Sequence, residues 1–76
     1  MNTITIDMIE TGKNITKLSE NNGLDVKALQ DILGFNNSNA IYKWKRGETL
    51  PSIDNLVILS QVFSTSIDNI IVVKSA

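Results

Sequence analysis

Glycine and proline recur so closely through the middle of this chain that only short helices fit between them. Gly23, Gly34, Gly47 and Pro51 punctuate it. A glycine just past an apolar-periodic segment, or a proline just beyond it, is a helix-stop signal. The segment 24–51, LDVKALQDILGFNNSNAIYKWKRGETLP, therefore divides into a short helix, a tight turn at Gly34, a second short helix ending at Gly47, and a new start after Pro51.

The flanks follow the same grammar. Asp7 reads as an N-cap with Glu10 three residues on, a capping-box start. Ile9, Ile15 and Leu18 lie along one stripe of helix 1, over about residues 8–22, and Asn21-Asn22-Gly23 stops it. Asp25 caps helix 2, with Val26, Leu29, Ile32 and Leu33 spaced for one buried face. Asn36, Asn37 or Ser38 caps helix 3, which runs to about Arg46. Ser52 caps helix 4, with Ile53, Leu56, Leu59, Val62 and Phe63 toward the core, and Ser64-Thr65-Ser66 breaks it. Ser66 then caps a short helix 5 from Ile67. Residues 1–6, MNTITI, alternate polar and β-branched apolar types and form a flexible or extended arm. The expectation is one all-α domain over residues 1–76, with five short helices and no sheet of consequence. Helices 2 and 3 have the order of a helix-turn-helix, the unit that lays its second helix in the DNA major groove.

Composition removes most alternatives. Seventy-six residues suffice for one modest core. With no cysteine and no histidine, zinc sites, Cys-His or Ser-His nucleophiles and imidazole proton shuttles are ruled out or strongly disfavoured. The eight carboxylates form no pair suggestive of general acid and base, and phosphate-cradling glycine loops are missing. No catalytic site, cofactor or metal is expected. The longest apolar runs, Ile70-Ile71-Val72-Val73 and Leu56-Val57-Ile58-Leu59, fall well short of the roughly 20 residues that span a bilayer. With no signal-peptide pattern and no cysteine, the expected compartment is the cytoplasm, with no membrane partner.

Helix 3 carries the chemistry. Ile41 and Trp44 fall on one side with Ala40 beside them, while Asn39, Tyr42, Lys43 and Arg46 follow i, i+3, i+4, i+7 spacing on another. An asparagine amide pairs with adenine, lysine donates to guanine or phosphate, and tyrosine bonds phosphate or touches a thymine methyl. The plain alternative is a face that merely meets water. Trp44, in line with Ile41, reads as core rather than as a base-stacking platform. Lys45 and Arg46 also suit a helix C-terminus as simple dipole partners. Lys27, early in helix 2, is placed for a phosphate, because that helix crosses the backbone. Net charge is −1 with a pI of about 5.1, against pI above roughly 9 for many nucleic-acid binders. The cations Lys43, Lys45 and Arg46 nonetheless cluster, answered locally only by Glu48.

These residues resemble the phage repressor and Cro-like (Xre-type) helix-turn-helix family. AIYKWKRGETLPSIDNLVILSQVF resembles its helix 3, glycine, Pro-Ser link and helix 4; STSIDNII resembles its short helix 5; GLDVKALQDILGF resembles its helix 2 and turn. The resemblance covers about residues 9–72. It implies a compact five-helix, lambda-repressor-like domain acting as a transcriptional regulator or operator-binding repressor, commonly a homodimer on palindromic double-stranded DNA. By position it assigns Ser38, Asn39 and Lys43, joined by Tyr42 on the stripe, to base reading. Lys27 and residues from Arg46 to Thr49 fall near phosphate-contacting positions. Apart from the resemblance, Lys45 adds charge there, and Asn36 and Asn37 either serve purely as cap and turn residues or touch DNA backbone while capping. The chain departs from the family at Gln30, where a small residue is frequent, at Lys45, where a glutamate is frequent, and by one extra residue between Gly34 and Ile41.

A monomer reads few base pairs, and two copies on half-sites about one DNA turn apart solve that. Ile67 and Ile70 read as core, Ile71 and Val73 as dimer candidates, and Ile4 and Ile6 are candidates to pair with that segment. The competing reading is a protein-interaction module, such as an antitoxin or anti-repressor, on the same fold.

Overall fold

The computed structural model describes residues 3–75. The expected arm and the single domain thus extend, at residues 1–2 and 76, outside the described residues. Five helices follow one another: α1 Met8–Asn21, α2 Val26–Leu33, α3 Asn39–Lys45, α4 Ile53–Val62 and α5 Ile67–Ile70. Their starts are set locally. Asp7, Asp25, Ser52 and Ser66 each accept a hydrogen bond from the backbone N–H three residues on, which satisfies one of the orphan donors of a helix start. The capping box at α1 forms by half. Glu10 pairs with Lys13 at 3.0 Å, because the Asp7 N–H donates to the Val72 carbonyl instead, at 2.7 Å.

That bond flanks a pairing for which the sequence made Ile4 and Ile6 candidates, although no sheet of consequence was expected. Strands β1 Ile4–Ile6 and β2 Val73–Ser75 pair antiparallel, with Ile4 opposite Ser75 and Ile6 opposite Val73. The arm is therefore extended, and it pairs with the C-terminal segment. Thr11 secures the ribbon: its buried hydroxyl oxygen accepts the Val72 N–H at 2.9 Å. Asn14 donates to the Asn69 and Ile70 carbonyls, tying α1 to the end of α5.

The core is Ile15, Leu29, Ile41, Trp44, Leu56, Leu59, Phe63 and Ile70. Three residues assigned to it from periodicity lie outside: Ile9 is 57%, Ile32 43% and Ile53 73% exposed. Ile9 stands about 120° around the helix from Ile15, at roughly 100° per residue. The buried face of α1 is instead Thr11, Gly12, Ile15 and Ser19, small enough to bring α3 close. Ile32 is displaced by Leu29, which takes the buried position on α2. Ile53 opens α4 ahead of its buried turn and lines a shallow apolar hollow with Ile6, Leu50, Pro51, Leu56 and Ile71. Ile70 is fully buried as expected, Ile67 and Ile71 pack against the core, and Val73 is 59% exposed.

Candidate nucleic-acid interface

Helix α2 ends at Gly34, whose φ of 73° lies in the left-handed region. There the Phe35 N–H donates to the Gln30 carbonyl and the Gly34 N–H to that of Asp31, the paired bonds of a Schellman stop. Gln30, the departure from a small residue, donates its Nε2 to the Phe35 carbonyl at 3.3 Å. It thereby ties the end of α2 to the turn. Phe35 packs edge-on against Trp44, with ring centroids 5.8 Å apart and an interplanar angle of 66°. The turn is thus pinned by an aromatic pair worth about 0.5–1.5 kcal/mol beyond its area. Sequence reading passed over Phe35 because a lone apolar residue in a turn belongs to no periodic stripe.

Helix α3 then starts at Asn39. The cap choice left open resolves into two parts. Ser38 occupies the N-cap position without a side-chain capping bond, whereas the Asn37 side chain accepts the Asn39 N–H at 3.0 Å. The helix stops at Lys45, one residue early, with Arg46 as its C-cap. Gly47, at φ 75°, lets its N–H reach the Trp44 carbonyl and the Glu48 N–H reach that of Lys43.

Helix α3 buries Ile41 and Trp44 and turns Asn39, Tyr42, Lys43 and Arg46 outward, with Tyr42 45% exposed. The geometry thus brings the four stripe residues onto one exposed face. Ser38 and Lys45 are half-buried at its margins, and Asn36, Asn37 and Thr49 are exposed in the flanking turns. Lys27 stands apart on α2, in an ion pair with Asp31 at 3.3 Å. Arg46 is likewise paired, with Glu48, and its guanidinium holds the Glu48 carboxyl below the usual glutamate range, first by hydrogen bonding and then by charge. Lys43 adds to that effect, while desolvation opposes it. Among the described residues neither Lys43 nor Lys45 has a carboxylate within ion-pair distance.

What holds this face out is helix α1. A Cβ on Gly12 would stand 2.2 Å from the Trp44 carbonyl oxygen and 2.8 Å from that of Lys45, so α1 and α3 approach backbone to backbone. Likewise a Cβ on Gly47 would lie 2.7 Å from the Ile9 Cα. Neither approach has a signature in the sequence, since Gly12 inside a helix reads only as a weak point and Gly47 after one reads only as a stop.

An exposed polar helix behind a pinned turn, following a capped helix, accords with the family model that matches residues 15–70, called helix-turn-helix. The chain belongs to the Xre-type helix-turn-helix family. Members of this Xre-type family are DNA-binding regulators rather than enzymes, and so is this domain. Among solved structures, the restriction-modification controller protein C.AhdI from Aeromonas hydrophila is similar, with a TM-score of 0.73 over 84% of this chain and 96% of that one. At 19% identity the likeness establishes the fold of this Xre-type domain. No curated protein sequence matches it. None of its helices is long and apolar enough to cross a membrane among the described residues.

Proposed function

We propose that this Xre-type domain is a cytoplasmic, sequence-specific repressor that reads the DNA major groove with α3. The observation that carries the reading is the division of α3, with Ile41 and Trp44 buried and Asn39, Tyr42, Lys43 and Arg46 exposed together. A helix so divided offers amide, phenol and cation to base edges while its other side anchors it. Asn39, Tyr42 and Lys43, with Ser38 at the helix start, read bases. Lys27, Asn36, Asn37, Lys45, Arg46 and Thr49 meet phosphates and set the register. Repression requires no more than occupancy of the groove.

The working form is a homodimer on a palindromic operator, its half-sites about 34–36 Å apart. The exposed Val73 and Ile4, with the hollow lined by Ile6, Ile53 and Ile71, supply the apolar face for the second copy. The net charge of −1 suits weak nonspecific binding with specificity carried by base contacts.

Selection of random duplexes on the purified protein, repeated at low and high salt, tests this. Enrichment of a palindrome with half-sites one turn apart is the expected result. No enrichment refutes operator reading and leaves a protein partner for the same fold.

A further inference from the structure

The basic end of α3 carries one acid, and the fold places it with some care. Glu48 follows Gly47, whose left-handed backbone packs against Ile9 so tightly that no Cβ fits there. The Glu48 N–H closes the helix by donating to the Lys43 carbonyl at 2.9 Å. That stop fixes where the residue leaves the helix and brings its carboxylate onto the Nε of Arg46. A guanidinium presents two edges for a bidentate grip on an oxyanion. The Nε edge of Arg46 is taken. Both side chains are about half exposed, at 57% and 50%, so the pair lies on the surface, beside the exposed Lys43.

Resting on the reading of α3 given above, we propose that Glu48 is a positioning residue that competes with DNA phosphates for Arg46 and so restrains the sequence-independent part of duplex binding. Phosphate contacts carry affinity without sequence information. An internal carboxylate competing for one of those cations lowers affinity for every duplex alike. Base contacts made by Asn39 and Lys43 are untouched, so the ratio of operator to random binding stays the same while occupancy of random DNA falls. The acidic balance of the chain acts in the same direction, but among the described residues only Glu48 is joined to a residue of the face itself.

The test uses the full chain and a fluorescein-labelled duplex of mixed sequence, read by anisotropy over a range of KCl concentrations. Four proteins are compared: the natural chain, Glu48→Gln, Arg46→Ala and the double variant. The Glu48 side chain is exposed and its backbone bond survives the change, so Glu48→Gln keeps its circular dichroism spectrum. It is expected to bind about 2–5-fold tighter at low salt, the range an exposed ion pair spans. The slope of log affinity against log salt steepens by about 0.9, one further phosphate neutralised. In the Arg46→Ala background the same change loses most of its effect, because the cation it releases is gone. An unchanged Glu48→Gln affinity and slope overturns the proposal, and so does an equal gain in both backgrounds, which makes Glu48 a general repulsive charge. Failure of the natural chain to bind duplex at any salt overturns the DNA reading itself, and is recognised before any variant is compared.

Discussion

Replacing Gly12 by alanine sets two physical effects against each other, and the structure decides the sign. In a helix interior alanine is favoured over glycine by about 1 kcal/mol, so the sequence alone predicts a more stable variant. In the fold, the added methyl carbon would stand 2.2 Å from the Trp44 carbonyl oxygen, against an ordinary contact of 3.4–4 Å. Helix α1 or α3 must retreat by more than 1 Å to relieve it. The obstructing atoms are backbone, so no rotamer change gives way. Overpacking costs about 3 kcal/mol at the upper end of its usual range, and the helical gain offsets about 1 kcal/mol, for a net loss of about 2 kcal/mol. For a domain of this size that lowers Tm by about 8–16 °C. Urea unfolding followed by Trp44 fluorescence, with circular dichroism melts, measures it. The displaced α3 also weakens duplex binding under conditions where the variant is still folded. A Gly12→Ala variant as stable as the natural chain, or more so, refutes the backbone-to-backbone approach.

Trp44→Ala empties the site facing Phe35 and is expected to cost about 3–5 kcal/mol; a well-folded variant that had lost only DNA binding would overturn its place in the core. Lys43→Ala should relax preference at one operator position by about 1–3 kcal/mol if Lys43 reads a base, and uniform weakening over all sequences makes it a phosphate contact instead. Glu48 titrates below the ordinary glutamate range. Its pairing with Arg46 therefore adds stability above the unfolded value, and loses it as pH falls through the lower folded value. A carboxyl NMR titration checks this: in Arg46→Ala the Glu48 midpoint moves up toward the ordinary value, and an unmoved midpoint removes Arg46 as the cause.

The exposed polar face of α3 was legible because its cues are local. Asn39, Tyr42, Lys43 and Arg46 share a face by helical arithmetic, and the alignment of Trp44 with Ile41 marks both as core. The mates of its cations were less legible. The Lys27–Asp31 pair lies at i, i+4 spacing, but the Arg46–Glu48 pair forms across a helix stop, where the left-handed Gly47 turns the chain back. The core assignments failed where periodicity was read without a partner. Ile9, Ile32 and Ile53 belong to amphipathic segments, yet each faces outward once Thr11, Gly12, Leu29 and Leu56 take the inner positions.

By itself the sequence determined where the helices begin and end, apart from a residue or so at some ends. A cap needs only an acceptor at the first position and an N–H three residues on, as at Asp7, Asp25, Ser52 and Ser66, and a stop needs only a left-handed glycine, as at Gly34 and Gly47. Both act within one turn of chain. Tertiary structure alone decided which small residues let helices touch, that Phe35 pins the turn, and that the arm becomes a strand. The bond from the Val72 N–H to Thr11 joins residues 61 apart in sequence. Pairing across such a span depends on where the other helices have already brought the ends, and no local pattern encodes that.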